Sequence, residues 1–276
     1  AGARGRIEVE VMQLRINGQA AFAYTAAHDL DASQPTIVFV HGAGLDHSWW
    51  GLQSRYFGYH GFNVMAVDLP AHGRSAGLAL TTIGEMADWV KKILDEKRIK
   101  SAVIVGHSMG SLIALEFAAR YPESAEKIAL IGTAYPMKVS DGFLDAARRN
   151  DQAAYDMETI WGHAAQVPLA GNPNPGMWMY GDTLARLARL APGVLHADLS
   201  ACNAYAGGMQ AAAKVKCPAL FILGARDVMT PPRAAQNLAR AVAQANMVTV
   251  GQSGHSLMAE APDATLDALI DFLRPA

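Results

Sequence analysis

The sequence predicts an α/β protein, with a mostly parallel central sheet, helices on both of its faces and one helical insertion. Three observations carry that expectation. Short apolar runs recur at 36–40, 62–67, 103–105, 127–132 and 219–223, as strands buried on both faces require. Helical patterns separate most of them at the spacing of parallel crossovers. Between about 135 and 213 the strand-like runs vanish and helical segments take over, which marks an insertion.

Each element follows from local chemistry. Residues 7–15 (IEVEVMQLR) alternate apolar and polar, Asn17-Gly18 makes a turn, and Ala21–Thr25 continues, so a hairpin opens the chain. Pro35 introduces the strand Thr36–Val40, which ends in His41-Gly42-Ala43-Gly44. A helical stretch with Trp49, Trp50, Leu52 and Phe57 follows and stops at Gly61. Phe62–Val67 is the next strand and runs into Asp68–Ser75 (DLPAHGRS). Thr81 or Thr82 caps a helix to about Arg98, with Met86, Val90, Ile93 and Leu94 on one face. Val103–Val105 leads into Gly106-His107-Ser108-Met109-Gly110 and a helix ending near Tyr121-Pro122, and Lys127–Gly132 is a further strand. In the insertion, helical segments are expected at 141–150, 151–165, 182–191 and 194–212, divided by the break Gly171–Gly176. The sheet resumes at Ala219–Leu223, before Gly224-Ala225-Arg226-Asp227. A helix from Pro231 or Pro232, a short strand Met247–Val250 and an amphipathic helix Asp263–Leu273 complete the chain.

Length and composition set bounds. With 276 residues, 51% hydrophobic and 17% charged, the chain can bury one large core interrupted by its insertion: 1–134 and 214–276 form the core, 135–213 a cap. A formal net charge of −2 and the lack of a basic cluster argue against nucleic acid and anionic membranes as partners. No apolar run is long enough to span a membrane, and the first residues lack the apolar core of a secretory signal. Cys202 and Cys217 are too few and too far apart for a disulfide framework or a metal cage, so reduced thiols and a cytoplasmic location are expected.

The chemistry is concentrated at strand ends. In G-x-S-x-G, two glycines leave room for a tight strand-to-helix turn that lifts Ser108 clear of the backbone, with helix N–H groups aimed at whatever it attacks. A serine hydroxyl needs a base to take its proton, and the base needs a partner that holds its tautomer. Residues just past the C-terminal ends of parallel strands converge on one crevice. Ser108, Asp227 and His255 occupy such places, in the chain order Ser, acid, His. Singly, each reads otherwise: Gly106–Gly110 as a plain turn, Asp227 as the cap of the helix near Pro231, His255 as a solvated loop residue. An oxyanion formed at Ser108 needs two donors, and the N–H groups of Met109 and Ala43 are placed for this. His41, Gly42, His47, Trp161, Trp178 and Met179 are candidate pocket residues, with His72 near the crevice. Met137, Met157, Met177 and Met209 add to an apolar cap face, and Arg148-Arg149 reads as a solvated helix face.

HGAG at 41–44, DLPAHGRS at 68–75, GHSMG at 106–110, LGARD at 223–227 and SGH at 253–255 resemble the α/β-hydrolase superfamily over nearly the whole chain. The resemblance implies Ser108 as nucleophile, His255 as base, Asp227 as acid, a helical cap, a monomer or weak homo-oligomer, and neither cofactor nor metal. It implies a small-molecule ester as substrate, with a largely apolar acyl or aryl group suggested by the cap. Lactonases, perhydrolases, C–C bond hydrolases and ligand receptors share the layout. Ser108 argues against dehalogenases and epoxide hydrolases, which carry Asp there. Ser256, where C–C hydrolases usually carry Trp, lowers their share.

Overall fold

The structure, a computed structural model, describes residues 13–165 and 178–274. Residues 7–12 of the expected first strand, the 171–176 break and Met177 lie outside the described residues. The hairpin strands are β1 (Gln13–Ile16) and β2 (Gln19–Tyr24), paired antiparallel with Ile16 opposite Gln19. The two turn residues between them, Asn17 and Gly18, both take positive φ (52° and 78°), which matches the right-handed twist of the strands they join.

Six strands follow in parallel: β3 (Thr36–Val40), β4 (Asn63–Asp68), β5 (Ala102–His107), β6 (Ala125–Ile131), β7 (Ala219–Gly224) and β8 (Ala245–Val250). The spatial order is β1-β2-β4-β3-β5-β6-β7-β8, so the strand order reverses across β3 and β5, between the two halves of the sheet. Strand periodicity divides the core. Val38, Val40, Met65, Val67 and Ile104 face one layer of helices, while Ile37, Phe39, Val64, Ala66 and Val105 face the other. The first layer comprises α2 (Ile83–Glu96), α3 (Met109–Arg120), α8 (Gly208–Ala212) and α9 (Pro232–Ala241). The second comprises α1 (Gly51–Gly58), the short α10 (Leu257–Glu260) and α11 (Pro262–Leu273). α2 begins with a capping box in which Thr82 and Glu85 satisfy each other's backbone N–H groups. β8 is an edge strand, which leaves Met247 and Val248 substantially exposed.

From 135 to 213 the described residues carry no strand. They form α4 (Asp141–Arg148), α5 (Gln152–Trp161), α6 (Met179–Leu187), α7 (Val194–Ala204) and α8. The helix expected over 194–212 is two helices, because Gly207-Gly208 interrupts the run and α8 packs on α3 and α9 of the sheet layer. The expected 182–191 helix starts earlier, at Met179, and ends at Leu187. No helix among the described residues is long and apolar enough to cross a membrane.

Candidate active site

Ser108 stands between the last residue of β5 and the first of α3, with φ 52° and ψ −117°. Such a conformation costs a non-glycine residue on the order of 1–3 kcal/mol, so the surrounding structure must impose it. It is imposed by close approach. A Cβ on Gly106 would collide with the Gly110 carbonyl, and one on Gly110 with the Val40 carbonyl, so the strand and helix meet only because both are glycine. The Ser108 N–H donates to Ile131 O (2.9 Å), and Ser111 N and Oγ both donate to Ser108 O (2.9 and 2.5 Å).

Asp227 and His255 arrive on the loops after β7 and β8 and meet in a buried pair, Nδ1 to Oδ2 2.7 Å. A carboxylate at Nδ1 holds the ring proton there and leaves Nε2 with its lone pair. That Nε2 is buried and has no hydrogen-bond partner among the described residues; no hydrogen bond joins it to the Ser108 hydroxyl in this structure. Burial opposes charge on His255, but the charge and hydrogen bond of Asp227 outweigh it and hold the imidazole above its ordinary pKa. Burial likewise opposes the Asp227 charge, and His255 together with Thr230 overcomes it, bringing the carboxyl down to about 2. The two readings of Asp227 are divided between its oxygens. Oδ1 accepts from the N–H groups of Met229 (2.9 Å) and Thr230 (2.7 Å), capping that turn, while Oδ2 takes His255 and the Thr230 hydroxyl (2.6 Å). The helix beyond has Pro231 as its N-cap, so Asp227 does not cap it.

The histidine loop is held from two sides. Glu260 accepts from Gly254 N (3.0 Å) and Ala164 N (2.9 Å) on one oxygen and from Ser256 N (3.1 Å) on the other. His107, kept neutral by burial and by the neighbouring His255, donates from Nε2 to the His255 carbonyl (2.9 Å). Gly132, with φ 57°, allows the imidazole to lie against the end of β6; a Cβ there would be 3.1 Å from His255 Cε1 and Nδ1. Gly132→Ala is therefore expected to destabilise the fold by about 1–2 kcal/mol, the usual penalty of an L-residue in left-handed backbone, plus whatever the displaced ring adds. Urea unfolding measures it.

Around the turn after β3, Gly44 N donates to Asp198 Oδ2 of α7 (2.8 Å) and Leu45 N to Gly42 O (3.3 Å), while Ala43 N finds no acceptor among the described residues. Asp198 Oδ2 also meets His72 Nε2 (2.8 Å), and both side chains are buried. Burial disfavours charge on His72, but the Asp198 carboxylate overcomes it and raises the pKa. His41, which burial lowers to about 4, is neutral: Nδ1 donates to Gly42 O (2.8 Å) and Nε2 accepts from Leu69 N (3.1 Å).

A cleft of about 230 Å³ opens on Ser108 and Ala43, walled by Met137 and Phe143 near and on α4, Glu158 and Trp161 on α5, and Leu199 on α7. Of the expected pocket residues, Trp161 lies in this wall; His41, Gly42, His47, Trp178 and Met179 do not. The reasons differ. His41 and Gly42 are occupied beneath the turn. His47 bonds Asp68 (2.8 Å) and lies tilted against Phe22, and Asp46, His47 and Asp68, though their ligand atoms lie within 4.8 Å of one another, are already engaged in local bonds. Met179 is buried in α6, whereas Trp178 is 75% exposed. Met209 is also outside the wall. A larger hollow of about 410 Å³, between Thr25, His28, Asp31, Tyr59 and Asn63, lies at the other ends of β3 and β4, remote from the strand ends where parallel sheets place their chemistry.

Sequence reasoning missed Thr230, Glu260, Glu158 and Asp198. Thr230 had a local signal, an Asp three residues before a hydroxyl. Glu260 is local too, four residues past the Ser256 N–H that it accepts from; Glu158 and Asp198 had no signal, since only packing of separate helices brings them into place.

The chain is 22% identical over 243 residues to (E)-2-((N-methylformamido)methylene)succinate hydrolase of Acinetobacter baylyi, spanning 86% of this chain and 89% of that protein. It is 28% identical over 239 residues to pimeloyl-[acyl-carrier protein] methyl ester esterase of Chromobacterium violaceum, spanning 80% and 87%. Among solved structures, the enol-lactonase from Burkholderia xenovorans LB400 has the same fold, with a TM-score of 0.82 at 24% identity over 95% of this chain and 99% of that one. The sequence profile of the Alpha/beta hydrolase family matches residues 37–268, and with most of its length so covered the chain belongs to that family.

Proposed function

We propose that this protein is a serine hydrolase that cleaves a small, largely apolar carboxylic ester through an acyl-enzyme intermediate. One observation carries the reading: a strained serine at the end of β5, and a buried histidine past the end of β8 whose Nδ1 is held by a carboxylate and whose Nε2 finds no partner among the described residues. Ser108 Oγ attacks the ester carbonyl as His255 Nε2 takes its proton. Asp227 keeps the proton on Nδ1 and stabilises the imidazolium. The N–H groups of Met109 and Ala43 receive the negative charge that develops on the carbonyl oxygen. His255 then protonates the leaving alcohol, and water, deprotonated by the same nitrogen, releases the acid. The relatives whose names end in esterase and hydrolase support hydrolysis as the reaction class.

The helices of the insertion act in this reading as a cap that sets specificity. Trp161, edge-to-face on Phe143 at 5.7 Å, forms part of the cleft wall, so Trp161→Ala is expected to change relative kcat/KM between short and long esters by about 10- to 200-fold. Trp178→Ala, at an exposed position outside the wall, is expected to leave that profile in place. The function is tested with p-nitrophenyl esters of rising chain length, a lactone and a C–C hydrolase substrate, with a small phosphonate to titrate the serine. Ester turnover with labelling at Ser108 supports the reading. Inertness to both, or turnover confined to the C–C substrate, overturns it.

A further inference from the structure

Glu158 is a carboxylic acid placed where an apolar ester pocket has no use for one. On α5, it lines the same cleft as Ser108 and Ala43, whose wall also includes Met137, Phe143, Trp161 and Leu199. It is 92% buried, and its Oε2 is buried without a hydrogen-bond partner among the described residues. Leaving a buried polar atom bare is unfavourable, so such atoms ordinarily find a protein, water or ligand partner. We propose that Glu158 is a specificity-determining residue that hydrogen-bonds a hydroxyl on the acyl part of the substrate, so that hydroxyacyl esters are selected over plain alkyl esters of the same length.

The chemistry favours a hydroxyl over other polar groups. Burial pushes the Glu158 carboxyl up to about 7 against the opposing charge of His255, and Asp198 on α7 pushes it further the same way. The Cys202 thiol on α7, itself pushed well up by burial and by Asp198 and Glu158, carries no charge to reverse this. Lys138 lies in the same wall, and His163, just past α5, is pulled down by burial. A neutral carboxyl offers one donor and one acceptor, which a hydroxyl matches in full. An alkyl chain satisfies neither.

This inference rests on the serine-hydrolase reading, and the test separates the two. kcat/KM is measured for p-nitrophenyl butanoate and for its 2- and 3-hydroxy and 3-amino analogues, about one pH unit below the Glu158 value so that most of the carboxyl is protonated. Ratios between esters cancel the titration of His255. Wild type is expected to favour one hydroxy ester over butanoate by roughly 10-fold or more, and Glu158→Leu to bring that ratio near or below one. Glu158→Gln, which keeps a donor and an acceptor, is expected to retain a large part of the preference and stands in if the Leu variant fails to fold. Preference for the amino ester, or a ratio unmoved by both substitutions, overturns the proposal. NMR titration with N-methylbutanamide and its hydroxy analogues reads Glu158 without turnover. If wild type cleaves none of the esters, the hydrolase reading fails. Tighter hydroxyamide binding lost in Glu158→Leu then still supports the role of Glu158, and equal binding sinks it.

Discussion

Ser108→Ala is expected to lower kcat for ester hydrolysis by about 10⁶-fold, the scale on which a nucleophile is lost from a unit acting through one serine and one histidine. Among the described residues, the other hydroxyls in the cleft are those of Ser140, which caps α4, and Thr230, which is committed to Asp227. The fold should persist, since the bonds that hold this turn are made by the Ser108 backbone and by Ser111. Alanine inherits the unfavourable φ of 52°. Circular dichroism and thermal unfolding establish the fold, and single-turnover assays establish the loss. Retention of more than about a thousandth of wild-type kcat would assign the nucleophile elsewhere.

Asp227→Asn is expected to lower kcat by about 10⁴-fold with the backbone undisturbed. The division of labour between the two carboxylate oxygens makes this a clean test. Asn can still present an oxygen to the N–H groups of Met229 and Thr230, so the turn keeps its cap. Its NH₂ would then face Nδ1 and drive the ring proton to Nε2, the nitrogen that must be free to accept the Ser108 proton. The pH profile gives a second readout. The base must be neutral, so kcat/KM falls as pH drops through the His255 pKa, which in the wild type lies above the ordinary 6.5. Without the Asp227 charge, burial acts unopposed by its main partner, and the acid limb should move to lower pH. A limb that stays in place, with near-normal turnover, would return Asp227 to the role of a turn cap.

What could be read in advance follows the physics of each residue. β3 and β7 are legible because strands covered on both faces are apolar along nearly their whole length, so TIVFV and ALFIL announce themselves. Ser108, Asp227 and His255 are legible because a parallel sheet delivers the ends of its strands to one place. The wall of the cleft is not. Trp178 and Met179 are adjacent and equally apolar, yet one is exposed and the other buried, a difference set by how α6 packs. Glu158 and Asp198 read as ordinary polar residues on amphipathic helices. Their burial, Glu158 in the cleft on Ser108 and Asp198 under the turn after β3, becomes visible only when α5 and α7 are laid against the strand ends.

The buried His72–Asp198 pair, with Gly44 N–H on the same oxygen, bears on how such proteins can be recombined. Helical insertions of this kind invite treatment as interchangeable parts, to be grafted between relatives to change substrate preference. Here the joint is charged and is shared by three segments distant in sequence. A donor insertion without an acid at the Asp198 position would strand a buried imidazole and slacken the turn that carries Ala43. A chimera would therefore fail at the attachment point before its new pocket was tried, unless residue 72 were exchanged with the insertion as a matched pair.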